Sequence, residues 1–376
     1  MTEENINLKN YDVTTVDETD FSALQRVNNI LGELRVESNF GALPQLIAFG
    51  TCPPQRKLQV MSLGNDKRLV ITGEYPDRQN LSVARILFQR GSPEDSDDAL
   101  LMKSIHDNFH PDYTVYNLLP ENKLDEVDAA GISNTHREFV LSIPRLVNCA
   151  STNLTFAQDP ENSIPSRAKE FQWVRRRNPQ LAYIDFRDKE QFADVFSRKY
   201  SGEEDAVDGR QSDEIEKFLK IWESQTGLAP TNDRRLLSLF WGKNLLMGGM
   251  VVDTTARAIV GLCCFTVHPA RADMVVSIVN KVLRHKSYGH LGTFTKISEA
   301  LHARTLYPQS EWLVIGGEGN RDRQGQTDHK IAHLSGGYEV KHVSVEAEAD
   351  EEKLKQLGLT KNDRIGREDL LRSLWL

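Results

Sequence analysis

The chain has 376 residues, a formal net charge of −8 and 39% hydrophobic side chains. That length fits two domains, each with enough chain to bury its own core. The acidic balance argues against broad, nonspecific binding to nucleic acid, and no window approaches the run of about 18 apolar residues that a membrane-spanning helix needs.

The N-terminus, MTEENINLKNYD, is polar and acidic and lacks the basic start and apolar stretch of a signal peptide. Helical spacing then places Phe21, Leu24, Val27, Ile30 and Leu34 on one face. Leu58 to Leu63 and Leu69 to Tyr75 read as strands joined by the turn Gly64-Asn65-Asp66, and Val83 to Phe88 as a third strand. A helix is expected near Asp98 to Phe109, a strand at Tyr113 to Leu118, a short helix near Lys123 to Ala130 and a strand near Arg137 to Ile143. A stretch rich in Asn, Ser, Thr and Pro, Asn148 to Pro165, follows as a join.

The second half repeats that order of elements. Phe192 to Tyr200 looks helical. Asp213 to Thr226 reads as a helix capped by Asp213 with Glu216 and ended by Gly227. Strands are expected at Leu245 to Val252, Ala258 to Val267 and Asp273 to Val279, and a helix after Gly289 carrying Leu291, Phe294, Ile297 and Leu301. Trp312 to Ile315 reads as a strand, Gly325 to Leu334 as a polar helix and Tyr338 to Val343 as a closing strand. The expected units are 16–147 and 166–345. A tail, 346–376, starts acidic and ends in the apolar Leu370-Leu371-Arg372-Ser373-Leu374-Trp375-Leu376. The fold class is α/β.

One junction is chemically distinct. Arg284-His285-Lys286-Ser287-Tyr288-Gly289-His290-Leu291-Gly292 lies between a strand and a helix. Its glycines let a ligand approach the backbone, a helix N-terminus offers free N–H groups, and Arg284 and Lys286 add positive charge. A phosphate is the group such a turn would hold. The corresponding junction in the first half, Arg90 to Asp98, carries four carboxylates. Like charges about 4 Å apart repel by around 1 kcal/mol even in water, so that turn would reject an anion. Glu318 follows the short strand beside the second-half junction and could take a proton from an amine; His290 is the other candidate base. Lys330 could touch a donor phosphate or a nucleotide 3′ end. Arg167, Lys169, Arg175, Arg176 and Arg177, with Trp173 among them, form a basic run that either faces water or contacts nucleic-acid or head-group phosphates.

His329 and His333 share helical spacing, but HEXXH and a third ligand are absent, so no metal is expected. Cys52, Cys149, Cys263 and Cys264 form no CxxC. A reducing, cytoplasmic setting fits them.

Helix, three strands, glycine-bearing turn, helix, strand, helix, strand is the order of the GNAT acyltransferases. Two such units in one chain resemble the Fem peptidyltransferases. The second half looks closer to the soluble catalytic part of the phosphatidylglycerol lysyltransferases, through Arg167 to Arg177, Ile315-Gly316-Gly317-Glu318 and Asp328-His329-Lys330. The glycine turn is one residue longer than the usual GNAT pattern. The resemblance implies two tandem GNAT-like domains, each a mixed, mostly antiparallel sheet flanked by helices, with the donor site in the second. It implies acyl or aminoacyl transfer from a thioester or ester to an amine, with acyl-CoA or acetyl-CoA as co-substrate held by Arg284, Lys286, Ser287, Gly289, Gly292 and Lys330. The acceptor would be a small-molecule or peptide amine. In the alternative, the donor is an aminoacyl-tRNA held by the basic run; a further alternative is a catalytically degenerate pair serving as a binding scaffold.

Overall fold

The computed structural model describes residues 10–35, 38–51, 56–75, 80–88, 96–121, 132–150, 165–196, 207–317 and 337–374. They form two compact units. Unit 1 combines Met1–Arg137 with Lys341–Leu376, and unit 2 is Glu138–Val340.

Unit 1 opens with β1 (Asp12–Thr15) and α1 (Phe21–Leu34). Asp20 caps α1 by accepting from the Ser22 N–H, and Leu24, Val27, Ile30 and Leu31 bury its inner stripe. A short α2 (Leu43–Gln45) runs into a π-helical turn at Leu46–Gly50. Then come β2 (Lys57–Leu63), β3 (Asp66–Tyr75), β4 (Leu81–Leu87), α3 (Ser96–Phe109) and β5 (Tyr113–Pro120). β6 (Ser133–Ser142) crosses the boundary between the units.

Unit 2 continues with α4 (Ile143–Ala150), α5 (Pro165–Arg177), β7 (Leu181–Asp185), α6 (Lys189–Phe196), α7 (Val207–Thr226) and α8 (Thr231–Phe240). The sheet follows with β8 (Met247–Asp253), β9 (Ala258–His268) and β10 (Arg271–Val282), then α9 (Leu291–Leu306) and β11 (Trp312–Gly317). The chain returns to unit 1 along β12 (Tyr338–Ala349) and ends in α10 (Glu351–Gln356) and α11 (Arg364–Ser373).

The strands of the two units share one connectivity. In unit 1, β1-β2-β3-β4 are antiparallel, β5 is parallel to β4, and β12 is antiparallel to β5. In unit 2, β7-β8-β9-β10 are antiparallel, β11 is parallel to β10, and β6 is antiparallel to β11. Each unit therefore takes its sixth strand from the chain segment that follows the other unit's parallel strand. The apolar tail docks: Leu370, Leu371 and Leu374 of α11 pack with Tyr75, Val83 and Tyr113 in the core of unit 1.

One local expectation changes. α7 begins at Val207, so Asp213 is an exposed mid-helix residue and not a cap; buried Gln211 extends the stripe of Ile215, Phe218 and Leu219 one turn upstream. Gly227 does end the helix, with φ +71° and its N–H on the Glu223 carbonyl. The short edge strands β1 and β7 and the helices α4 and α8 were not among the expected elements. The helices expected near Lys123 to Ala130 and Gly325 to Leu334 lie outside the described residues.

Candidate functional site

The parallel strand pair differs between the units. In unit 1, β4 stays paired to β5 to its last residue, Leu87, opposite Asn117, and Phe88 adds a further backbone bond to Asn117. In unit 2, β10 pairs with β11 only over Met274–Val276 against Trp312–Val314. Beyond Val276, β10 continues to Val282 along β9 alone, with a bulge between Ser277 and Val279. A bulge bends its strand and raises the local twist, so β10 leaves β11 where the backbone groups of Ser277–Val282 lose a sheet neighbour on one side.

The Arg284–Gly292 junction follows at once. Tyr288 is buried and donates to Asp253 Oδ2 at 2.7 Å, while Asp253 Oδ1 accepts from the Thr255 and Ala256 N–H groups. Burial and the bond to Asp253 push the Tyr288 phenol up to about 12. The tyrosine thus ties the junction to the β8–β9 turn. Arg284, His285, Lys286 and Ser287 are exposed, and the Arg284 N–H donates to the Gln225 side chain at 2.8 Å. Gly289 adopts φ +29°, and a Cβ there would lie 2.9 Å from the Trp173 ring of α5. Gly292 has open space around it.

The α9 N-terminus already has an anionic neighbour. Glu170 of α5 accepts from Thr293 Oγ1 at 2.8 Å and lies 3.5 Å from His290 Nδ1. A carboxylate here complements the positive end of the helix. His290, the N-cap residue in the left-handed region, sets its ring edge-on to Trp173 at 5.9 Å. It therefore sits at the mouth of the junction, against α5. Arg175, Arg176 and Arg177 are exposed at the end of α5, with the Arg177 guanidinium 5.3 Å from the Trp173 ring centre. Lys169 is exposed on the same helix. The Arg167 side chain, Glu318 and Lys330 lie outside the described residues, as do His329, His333 and the acidic Gly91–Asp95.

The structure adds residues that sequence reading missed. α9 turns Leu291, Phe294 and Ile297 toward the apolar cluster that includes α4 and α5. Polar side chains lie between it and the strands. Glu299, 0% exposed, accepts through Oε2 from Lys296 Nζ and Asn280 Nδ2, both at 3.0 Å, and Lys296 also donates to Ser277 Oγ. Glu299 Oε1 has no hydrogen-bond partner. A buried acceptor left unsatisfied is costly, and this one lies beside the residues where β10 departs. Lys296, Glu299 and His302 recur at three-residue intervals along α9.

A second chain of contacts starts from His302. Nε2 lies 2.8 Å from Asp185 Oδ2, and Nδ1 lies 2.7 Å from the Tyr183 hydroxyl, itself 3.4 Å from Cys263 Sγ. Burial opposes ionisation of Asp185, but hydrogen bonds from His302 and Arg187 outweigh it and hold the carboxyl well below the ordinary value of 3.8. Burial pushes the Tyr183 phenol and the Cys263 and Cys264 thiols far up, so all three keep their protons. With Asp185 ionised and able only to accept, His302 Nε2–H donates to Asp185 Oδ2. Asp185→Ala is expected to lower stability by about 2 kcal/mol at neutral pH, read as a fall in the urea midpoint. A depressed carboxylate stabilises the fold above 3.8 and loses that effect as pH falls through its folded value. The gap between wild type and variant should therefore narrow below pH 3.8.

Among the described residues, no helix is long and apolar enough to cross a membrane, and no group of three or more metal-ligating side chains occurs.

No protein-family profile and no curated protein matches the sequence. Solved structures do match. A conserved protein of unknown function from Bacteroides thetaiotaomicron is 11% identical, with 89% of this chain and 99% of that chain covered at a TM-score of 0.56. FemX is 10% identical over 93% of this chain and 100% of its own, at 0.49. A tandem GNAT protein from the clavulanic acid biosynthesis pathway is 11% identical over 90% and 99%, at 0.45. At such identities the likeness concerns the fold alone, that of an α/β chain built from two units of one strand connectivity.

Proposed function

We propose that unit 2 transfers an acyl or aminoacyl group from a thioester or ester donor to an amine. The observation that carries this reading is the parting of β10 from β11 in unit 2, against the fully paired β4 and β5 in unit 1. A parted pair exposes backbone donors and acceptors that an extended acyl donor can use as a missing strand would. Glu318 follows β11 directly and acts as general base, taking the proton from the attacking amine. The new C–N bond forms as the C–S or C–O bond breaks, and the proton reaches the leaving group. Buried, protonated Cys263 and Cys264 are poor nucleophiles, which fits direct attack without an acyl-enzyme.

With acyl-CoA as donor, Arg284, Lys286, Ser287, Gly289, Gly292 and Lys330 hold its phosphates. Calorimetric titration of CoA and acetyl-CoA should give saturable binding that weakens at least tenfold in Arg284→Glu/Lys286→Glu; equal affinity in that variant rejects the junction as donor site.

One observation favours an aminoacyl-tRNA donor instead: the Glu170 carboxylate stands at the N-terminus of α9, where a pyrophosphate would go. The exposed Arg175–Arg177 run would then carry tRNA phosphates. Filter binding should weaken steeply with salt, because each neutralised phosphate releases counterions. Changing the three arginines to alanine should flatten that slope. Salt-insensitive or absent tRNA binding leaves the small thioester donor.

A further inference from the structure

Two cations of unit 1 carry an acidic partner. Arg68 pairs with Asp98 at 3.0 Å, and Arg367 pairs with Glu346. Arg85 of β4 makes no ion pair among the described residues. It is 2% exposed, and its guanidinium meets only neutral groups: the Tyr75 hydroxyl at 3.3 Å and, with the Asn117 amide turned oxygen-first, Asn117 at 2.8 and 3.2 Å. An ion buried without a counter-charge is costly to keep.

Other nitrogen groups gather near it. Arg372 of α11 donates to Asn134 Oδ1 at 3.2 Å and makes no ion pair among the described residues. Asn134 Nδ2 lies 3.2 Å from His136 Nε2. His342 of β12 is 6% exposed. Burial, then the neighbouring Arg372, His342 and Arg85, push the His136 imidazole down to about 3. Four elements, β4, β6, β12 and α11, thus bring cationic or proton-bearing nitrogens to one place, and His136 and Arg372, both half-buried, form its solvent side.

We propose that Arg85, Asn134, His136, His342 and Arg372 form an oxyanion-binding site in unit 1, which takes a phosphate or carboxylate group of a small ligand. Guanidinium forks match both groups in geometry and charge. The ligand supplies the counter-charge that Arg85 lacks. The site does not rest on the acyl-transfer reading of unit 2.

The test is thermal unfolding of the full chain with inorganic phosphate, pyrophosphate or citrate, at ionic strength held constant with NaCl. A ligand that binds only the folded state should raise Tm with the logarithm of its concentration above Kd, by roughly 5 °C at a hundredfold excess over Kd. The phosphate and citrate arms show which oxyanion the site prefers. Arg85→Gln should keep or raise the ligand-free Tm, since it removes an unpaired buried charge, and should abolish the shift. Arg372→Gln, at the solvent side, should weaken anion affinity at least tenfold and decides the matter if Arg85→Gln does not fold. No shift beyond the NaCl control with any of the anions, or equal shifts in wild type and variants, overturns the proposal.

Discussion

Gly248→Ala should abolish the cooperative unfolding of unit 2. A Cβ at this position would lie 2.3 Å from the Cys263 carbonyl oxygen, 2.6 Å from the Phe186 ring and 2.9 Å from Cys264 Cα. Two of those atoms belong to the backbone of β9, which pairs Cys264 with Gly248 and cannot swing aside as a side chain would. Overpacking against fixed backbone costs on the order of 3 kcal/mol or more, a large share of a domain's net stability. Gly292→Ala is the control. It adds a methyl group to open space in the first turn of α9 and should be neutral or mildly stabilising through helix propensity. A urea midpoint for Gly248→Ala within error of wild type would show that β8 and β9 sit further apart than described.

Glu318→Gln should slow transfer to the amine by about 10²–10⁴-fold while leaving Tm unchanged, the loss typical of removing a general base. Release of free CoA thiol from acetyl-CoA across a panel of amines is the readout, with aminoacyl-tRNA deacylation in the second arm. Glu299→Gln separates the two carboxylates. Glu299 is buried with Lys296 and Asn280 on it, so its loss strands a buried ammonium and should lower Tm. If Glu299→Gln removes activity at unchanged Tm and Glu318→Gln does not, the base is Glu299.

Much of the architecture was legible because hydrophobic period is a strong signal. Leu291, Phe294 and Ile297 announced α9, and the turn at Gly64 announced the β2–β3 hairpin. The repeat of element order anticipated two units of one strand connectivity, which here lie in one continuous run of paired strands and not in two sheets. The exchange of β6 and β12 was not legible, because a strand's sequence records which face is buried and not which neighbour it pairs with. Edge strands as short as β1 carry too few alternations to read. At the site, the charged junction was visible from Arg284 and Lys286. Glu170 was not, since its role depends on α5 lying against the start of α9. Glu299 and His302 looked like ordinary polar helix residues until the sheet behind them was known.

The exchanged strands also bear on synthesis. Unit 2 is one continuous segment, Glu138–Val340, whereas unit 1 is split between the two ends of the chain. A ribosome delivers the N-terminal residues first, yet the unit they belong to cannot close until β12, α10 and α11 have emerged. The later-made unit is thus able to finish before the earlier one, the reverse of the usual N-terminal-first order. During that interval the free edge of β5 waits for a partner more than 200 residues downstream. Stop codons just after Val340 should leave unit 2 foldable and unit 1 prone to aggregate, so premature termination near the C-terminus would injure the beginning of this protein more than its middle.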